Sequence, residues 1–342
     1  MEFPKHQAEF LRQVVTAGTA EKQRSLRATI PGDDYEQHIE NAYLVNPFFR
    51  LTEEEARIFQ EAREPSALRR LIAARDAASR VRAPKYSVFC MPKSGSSFVQ
   101  SSLQYALELP LMSLTSFGTP GASSYYGMNS REQEIDELAL TKAILAAPEG
   151  FVSQNHTRYS MYLALQMRTF GITPIITVRN ILDCIVSFDD MMMSWRAGKG
   201  EDGWLTDAQF ALPMNYADLD VAARCEILGR SFGVWLISFY LSWKRCGRQK
   251  LISPIVVKYE EDILDRDRYV ELIASRVPLS DVQKQRLVQF THNPARGPSR
   301  LNVGVSGRGR QTIPQSVVEF LVDYAKVFRD EISQEEIRYL IG

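Results

Sequence analysis

The stretch Cys90-Met91-Pro92-Lys93-Ser94-Gly95-Ser96-Ser97-Phe98 sets a lysine, three hydroxyls and a glycine between an apolar run, 86–91, and a helical pattern, 98–109. A turn of this composition at a helix N-terminus is suited to holding an anion. The N–H groups of the first turn lack intrahelical acceptors, the helix dipole adds partial positive charge, and a glycine lets the backbone approach a ligand closely. Lys93 adds a full charge, and Ser94, Ser96 and Ser97 each offer a hydroxyl to a phosphate oxygen. The pattern is not the common nucleotide loop G-x-x-x-x-G-K-[ST], because here the lysine precedes a single glycine.

Two further segments carry polar groups at the ends of apolar runs. Arg179 closes the run 174–178, and its guanidinium fork is suited to bidentate phosphate binding; Ser187 lies two turns into the helix that follows. His156, one of the chain's four histidines, closes the run 151–154. A histidine is more often structural than catalytic, but this one falls at a strand end, on the same rim as Lys93 and Arg179.

These placements depend on the elements around them. Expected strands at 86–91, 151–154, 174–178 and 254–258 alternate with expected helices at 96–109, 131–147, 158–170, 181–195 and 218–246, with Ser130 and Gln133 capping the second. Short apolar strands alternating with helices predict an α/β fold, a parallel sheet flanked by helices on both faces, with ligands bound beyond the strands' carboxyl ends. Helices follow at about 261–275, 281–290 and 314–330, the last two separated by a loop rich in Gly and Arg, 293–311. Residues 1–83 read as a helical N-terminal extension to a domain at 84–342. Thr52-Glu53-Glu54-Glu55 is a capping box, and a second helix runs from Pro65-Ser66 to about Ser79. Arg69, Arg70, Arg75, Arg80 and Arg82 on and after that helix read as a solvated face. The loops 110–130 and 196–217 are long, and Tyr125, Tyr126, Met128, Trp195 and Trp204, with Met191, Met192 and Met193 nearby, could wall an apolar pocket.

Composition narrows the partners. Forty-one basic and forty-one acidic residues give zero formal charge, so no overall field draws the chain to nucleic acid or to an anionic membrane. The four cysteines show no C-x-x-C spacing and read as reduced thiols. The start lacks a signal-peptide pattern, and the apolar stretch 228–243 falls short of the roughly 20 residues of a membrane span, so a cytoplasmic location is expected.

Taken together, the segments resemble the sulfotransferase family, which moves a sulfuryl group from 3′-phosphoadenosine 5′-phosphosulfate (PAPS) to an acceptor hydroxyl or amine and leaves adenosine 3′,5′-bisphosphate (PAP). Pro92-Lys93-Ser94-Gly95-Ser96-Ser97-Phe98 is similar to the family's 5′-phosphosulfate loop. Arg179-Asn180 through Asp183 to Val186-Ser187 is similar to its 3′-phosphate segment, and His156 falls where the family has its catalytic base. Val257-Lys258-Tyr259-Glu260-Glu261 resembles the stretch whose Tyr lies near the adenine, and Gly304-Val305-Ser306-Gly307-Arg308 resembles the C-terminal loop over the 3′-phosphate. The resemblance spans 85 to about 330 and implies the family's P-loop-like fold. In it Lys93, His156 and Ser187 act in catalysis, with Ser187 holding the 3′-phosphate and restraining Lys93. Lys93, Ser94, Gly95, Ser96, Ser97, Phe98, Arg179, Ser187, Tyr259, Gly304, Gly307 and Arg308 bind the donor, and no metal takes part.

The departures are Gln154 where a second lysine is common, Asn302-Val303 where an Arg-Lys pair is common, Ile181 for a proline and Phe98 for a tryptophan. Arg300, Arg308 or Arg310 is expected to replace the missing pair, and Phe98 to keep an aromatic face for the adenine. The absence of an anchor favours a small-molecule acceptor. The N-terminal extension would cover the site or form a homodimer. Two other readings fit an anion loop: a nucleotide-dependent kinase, needing a magnesium carboxylate for which Asp189-Asp190 is the only tempting pair, and a non-catalytic adenine-nucleotide-binding module.

Overall fold

The structure is a computed structural model that describes residues 20–30, 32, 35, 38–39, 42, 52–55, 74–114, 134–199, 212–293 and 306–342. The chain forms two compact units, one of Met1–Val81, Ser113–Ser123 and Ile135–Pro148, the other of Arg82–Met112, Ser124–Glu134 and Glu149–Gly342.

In the first unit the expected capping box is present: Thr52 N donates to Glu55 Oε2 at 2.7 Å and Glu55 N to Thr52 Oγ1 at 3.2 Å. The same carboxylate accepts from Arg27 Nε at 2.7 Å and from Tyr35 Oη at 2.6 Å. Burial pushes the Glu55 carboxyl up, but these donors outweigh it and hold the group at about 2. Arg75 is exposed, as expected of a solvated face, and pairs there with Glu137. The helix Glu137–Ala146 belongs to this unit and starts later than the sequence pattern suggests. Asp136 caps it by accepting from Ala139 N, while 134–136 are non-helical and Ser130 and Gln133 lie outside the described residues.

In the second unit the strands β1 (Lys85–Cys90), β2 (Phe151–Asn155), β3 (Ile172–Val178) and β4 (Ile255–Lys258) form one parallel sheet in the order β2-β1-β3-β4. The fold is therefore α/β. β3 starts two residues before the expected 174, with Ile172 opposite Lys85. Pro174 is tolerated because pairing with β4 begins only at Ile175. β1 is buried along its whole length, as a strand covered on both faces must be. Tyr86, Val88 and Cys90 point into a core shared with α1 (Ser96–Leu107), α6 (Arg266–Arg276) and α7 (Asp281–His292). Phe89, of opposite parity, meets Trp243 at 4.9 Å. That tryptophan lies on α5 (Val234–Gln249).

Between these elements run α2 (Met161–Phe170), α3 (Ile181–Lys199) and α4 (Val221–Leu228). The pattern 218–246 suggests one helix, but α4 and α5 are joined by a π-helical turn, Gly229–Gly233. The glycines of this turn let it pack closely on α9 (Gln315–Lys326): a Cβ at Gly229 would stand 2.2 Å from Val317 Cγ1, and one at Gly233 2.8 Å from Leu321 Cδ2. A second π-helical turn, Tyr259–Ile263, precedes α6, which therefore begins at Arg266 on an Asp265 cap. Part of the expected loop 293–311 is helical, as α8 (Arg308–Thr312), and a capping box of Ser333 and Glu336 opens a further helix, α10 (Gln334–Ile341). The four cysteines are unpaired and buried. Among the described residues no helix is long and apolar enough to cross a membrane.

Helix propensity alone makes Gly229→Ala stabilising by up to about 1 kcal/mol. Overpacking against Val317 reverses the sign, so the variant is expected to lose roughly 1–3 kcal/mol in urea unfolding.

Candidate active site

The strand order fixes where a ligand can sit. From β1 the chain passes to β2 on one side, and from β3 to β4 on the other, so the crevice between the carboxyl ends of β1 and β3 is the topological switch point. The Lys93 turn leaves β1 there, and Arg179 leaves β3. His156 follows β2 on one flank, and Tyr259 follows β4 on the other.

The turn is tight and left-handed at two positions, Lys93 (φ 71°) and Gly95 (φ 80°). Ser94 N donates to Met91 O at 3.2 Å. The Ser94 hydroxyl donates to Met91 O at 2.6 Å and lies 2.5 Å from Thr177 Oγ1, so it pins the turn to β3 rather than facing outward. Its hydroxyl, expected to face an anion, is engaged within the protein. Gly95 is required twice over. Its φ is positive, and a Cβ would stand 2.8 Å from Ile263 Cδ1 and 3.0 Å from Tyr259 Cδ2. The helix α1 opens with Phe98 N and Val99 N on Gly95 O and carries no side-chain cap, so the N–H groups of Ser96 and Ser97 at its start are suited to an anion. Ser96 Oγ accepts from Gln154 Nε2 at 3.0 Å.

Arg179 is buried at the switch point. Its Nη1 donates to Lys93 O at 2.9 Å, its guanidinium lies 4.1 Å over the Tyr259 ring, and Nη2 is 3.7 Å from Asp183 Oδ2. Lys93 Nζ lies 3.8 Å from Met191 Sδ on α3. Ser187 is on the same helix, buried.

His156 is also buried, with Nδ1 3.0 Å from Cys90 O and 3.2 Å from Cys90 Sγ. A carbonyl can only accept, so the proton sits on Nδ1 and Nε2 holds the lone pair. Burial lowers the imidazole to about 4, and the bond to Cys90 O resists this in part. The Cys90 thiol is pushed up to about 12 by burial, so it is a packed group rather than a second nucleophile.

Carboxylates to which the sequence assigned no role organise the rest. Asp183 accepts from Gly307 N and Gly309 N, both at 2.8 Å, and from Ser306 Oγ at 3.0 Å, which fastens the start of α8 to α3. Gly309 must be a glycine, since a Cβ would lie 2.3 Å from the Leu182 carbonyl carbon. Asn180 caps α3 through Oδ1, while its N–H donates to Glu260 Oε1 at 3.0 Å; Tyr339 Oη donates to the other oxygen of Glu260 at 2.7 Å.

Two groups expected to bind the donor, Arg308 and Phe98, make contacts within the protein. Arg308 pairs with Asp190 at 2.9 Å, so its charge is already engaged, while Arg310 is exposed. Phe98 is only 2% exposed, packed on Tyr269 and Phe290 with Arg266 over its ring, and offers no open face to a base. Gly304, Arg300, Tyr125, Tyr126, Met128 and Trp204 lie outside the described residues. Asp189 of the Asp pair is spent on Arg224 (2.8 Å) and Tyr216 (2.6 Å). Among the described residues no group of three or more His, Cys, Asp or Glu could hold a metal ion.

No family model matches the chain, and no curated protein matches it.

The depressed His156 value has a measurable sign. The unfolded chain takes up this proton near pH 6.5 and the folded one only near 4, so His156 subtracts stability as pH falls through that window. Nitrogen-15 NMR of the ring is expected to show a neutral Nδ1–H tautomer unchanged from pH 8 to about 5.5; an imidazolium at pH 6 would contradict the assignment.

Proposed function

We propose that this chain is a sulfotransferase of the P-loop-like sulfotransferase fold, transferring the sulfuryl group of PAPS to a hydroxyl or amine of a small-molecule acceptor. The observation that carries the reading is the row of groups along the switch point: the anion turn of β1 lies between Arg179, bonded to Lys93 O, and His156, bonded to Cys90 O. An anion turn, a buried guanidinium and an imidazole with its lone pair on Nε2 suit a doubly phosphorylated nucleoside whose reacting group lies near a base. A neutral acid–base pair alone would not need the arginine.

In this reading the donor supplies an activated sulfuryl group, and the residues do the following. His156 Nε2 takes the proton of the acceptor as the acceptor's oxygen or nitrogen forms a bond to sulfur. The bond from sulfur to the 5′-phosphate oxygen breaks, and the leaving group departs as PAP with the bond's electron pair. Lys93 and the N–H groups of Ser96 and Ser97 neutralise the charge that builds on that oxygen, ready-oriented before the reaction begins. Arg179 holds the 3′-phosphate together with Ser187. Gln154 adds no charge, so Lys93 carries the leaving-group charge without a second lysine at that position.

The kinase reading loses its candidate carboxylates, since Asp189 is engaged by Arg224 and Asp190 by Arg308. The non-catalytic binding module gains from one observation, the weak basicity of His156. Turnover separates it from the enzyme. His156→Ala is expected to cut sulfuryl transfer about 10²–10⁴-fold while binding PAP normally by calorimetry; native turnover would reject the base. Lys93→Met is expected to lower turnover about 10²–10³-fold, measured with radiolabelled donor, and a native rate in that variant would reject the leaving-group role.

A further inference from the structure

Arg266 opens α6 and stands with its guanidinium carbon 4.4 Å from the centre of the Phe98 ring. Its Nη1 donates to Ile263 O at 2.7 Å, and no carboxylate pairs with it among the described residues. The acids around it meet other groups: Arg268 binds Glu261 at 3.2 Å and Asp262 at 2.9 Å, Asp265 accepts from Arg268 N at 3.1 Å as the cap of α6, and Asp267 lies 3.2 Å from His292 Nε2. Burial lowers the Arg266 pKa, which marks a cation partly stripped of water without an acid to compensate. Such a group is costly unless something else meets it. Phe98 supplies part of that through its negative ring face. The position is close to the anion turn: Phe98 lies in the first turn of α1, and Ile263, which accepts from Arg266, approaches the Cα of Gly95 so closely that a Cβ there would be 2.8 Å away.

We infer that Arg266, backed by Phe98, is the surface on which the nucleobase of the bound nucleotide stacks. The inference rests on the nucleotide reading above and names the group that recognises the base. A guanidinium layered on an aromatic ring is planar, and a base has a π face that stacks on such a plane as it would on a ring. The Phe98 ring is itself covered, so a base arriving beside the turn meets Arg266 first. A purine, with the larger face, gains more from this contact than a pyrimidine.

The test is calorimetry on the full chain with two ligands, PAP and the abasic 1,2-dideoxyribose 3,5-bisphosphate, which keeps both phosphates and has no base. The variants are Arg266→Leu, which removes charge and plane, and Arg266→Lys, which keeps the charge and removes the plane. Each is expected to weaken PAP binding about tenfold and to leave the abasic ligand within about twofold of the native affinity. Thermal unfolding checks that both variants fold, and the Lys variant carries the test alone if the Leu variant does not. Equal weakening of both ligands would make Arg266 a phosphate contact and overturn the inference, as would unchanged binding of PAP. If the native chain binds no PAP at all, the nucleotide reading itself fails. Native binding with unaffected variants removes only the role of Arg266.

Discussion

The hydrogen bond from Arg179 Nη1 to Lys93 O is the contact on which the strand-end site depends. Lys93 is a residue with a side chain held at φ 71°, a conformation that costs about 1–3 kcal/mol and persists only where its surroundings dictate it. A charged donor on that carbonyl fixes the peptide's orientation from the neighbouring strand. Tyr259 covers the arginine, and Gly95 is packed against Tyr259 and Ile263, so the ends of β1, β3 and β4 brace one another. The turn is shaped by its neighbours more than by its own sequence.

Acidic side chains complete this brace. Asp183 gathers two backbone N–H groups and a hydroxyl from residues 306–309 and stands near Arg179, while Glu260 joins Asn180 to Tyr339 of α10. Each carboxylate links segments far apart in the chain, and each satisfies donors that would otherwise be left without acceptors at helix starts. The equal numbers of acids and bases in the chain are thus reflected locally. Arg308 has an acid partner and Arg179 an acid neighbour, whereas Arg266 pairs with no carboxylate among the described residues.

Much of the frame was legible in the sequence because it follows from short-range rules. Each strand lies within two residues of its apolar run, since a parallel strand buried on both faces needs continuous apolar residues. The placement of Lys93, Arg179 and His156 at strand ends was readable for the same reason. The π-helical turns were not legible, because Gly229 and Gly233 are set by an approach to Val317 and Leu321 that no local pattern encodes. Nor were the duties of Ser94, Asp183 and Arg308, each of which meets a partner more than 80 residues away in sequence. The start of α10 could have been read, since Ser333 and Glu336 have capping-box spacing. The late start of Glu137–Ala146 shows the opposite failure: the sequence pattern put the helix start upstream, whereas Asp136 supplies its cap.

The strand order also acts as a ruler. His156 follows β2 and Arg179 follows β3, with β1 between them. Neighbouring strands lie about 4.8 Å apart, so the backbone ends that carry these two residues are separated by roughly 10 Å. Ladder hydrogen bonds set that gauge, and side-chain substitutions cannot rescale it. A molecule engaging both ends is selected by length as well as by charge, and only a change in the number of intervening strands would alter the length it must have.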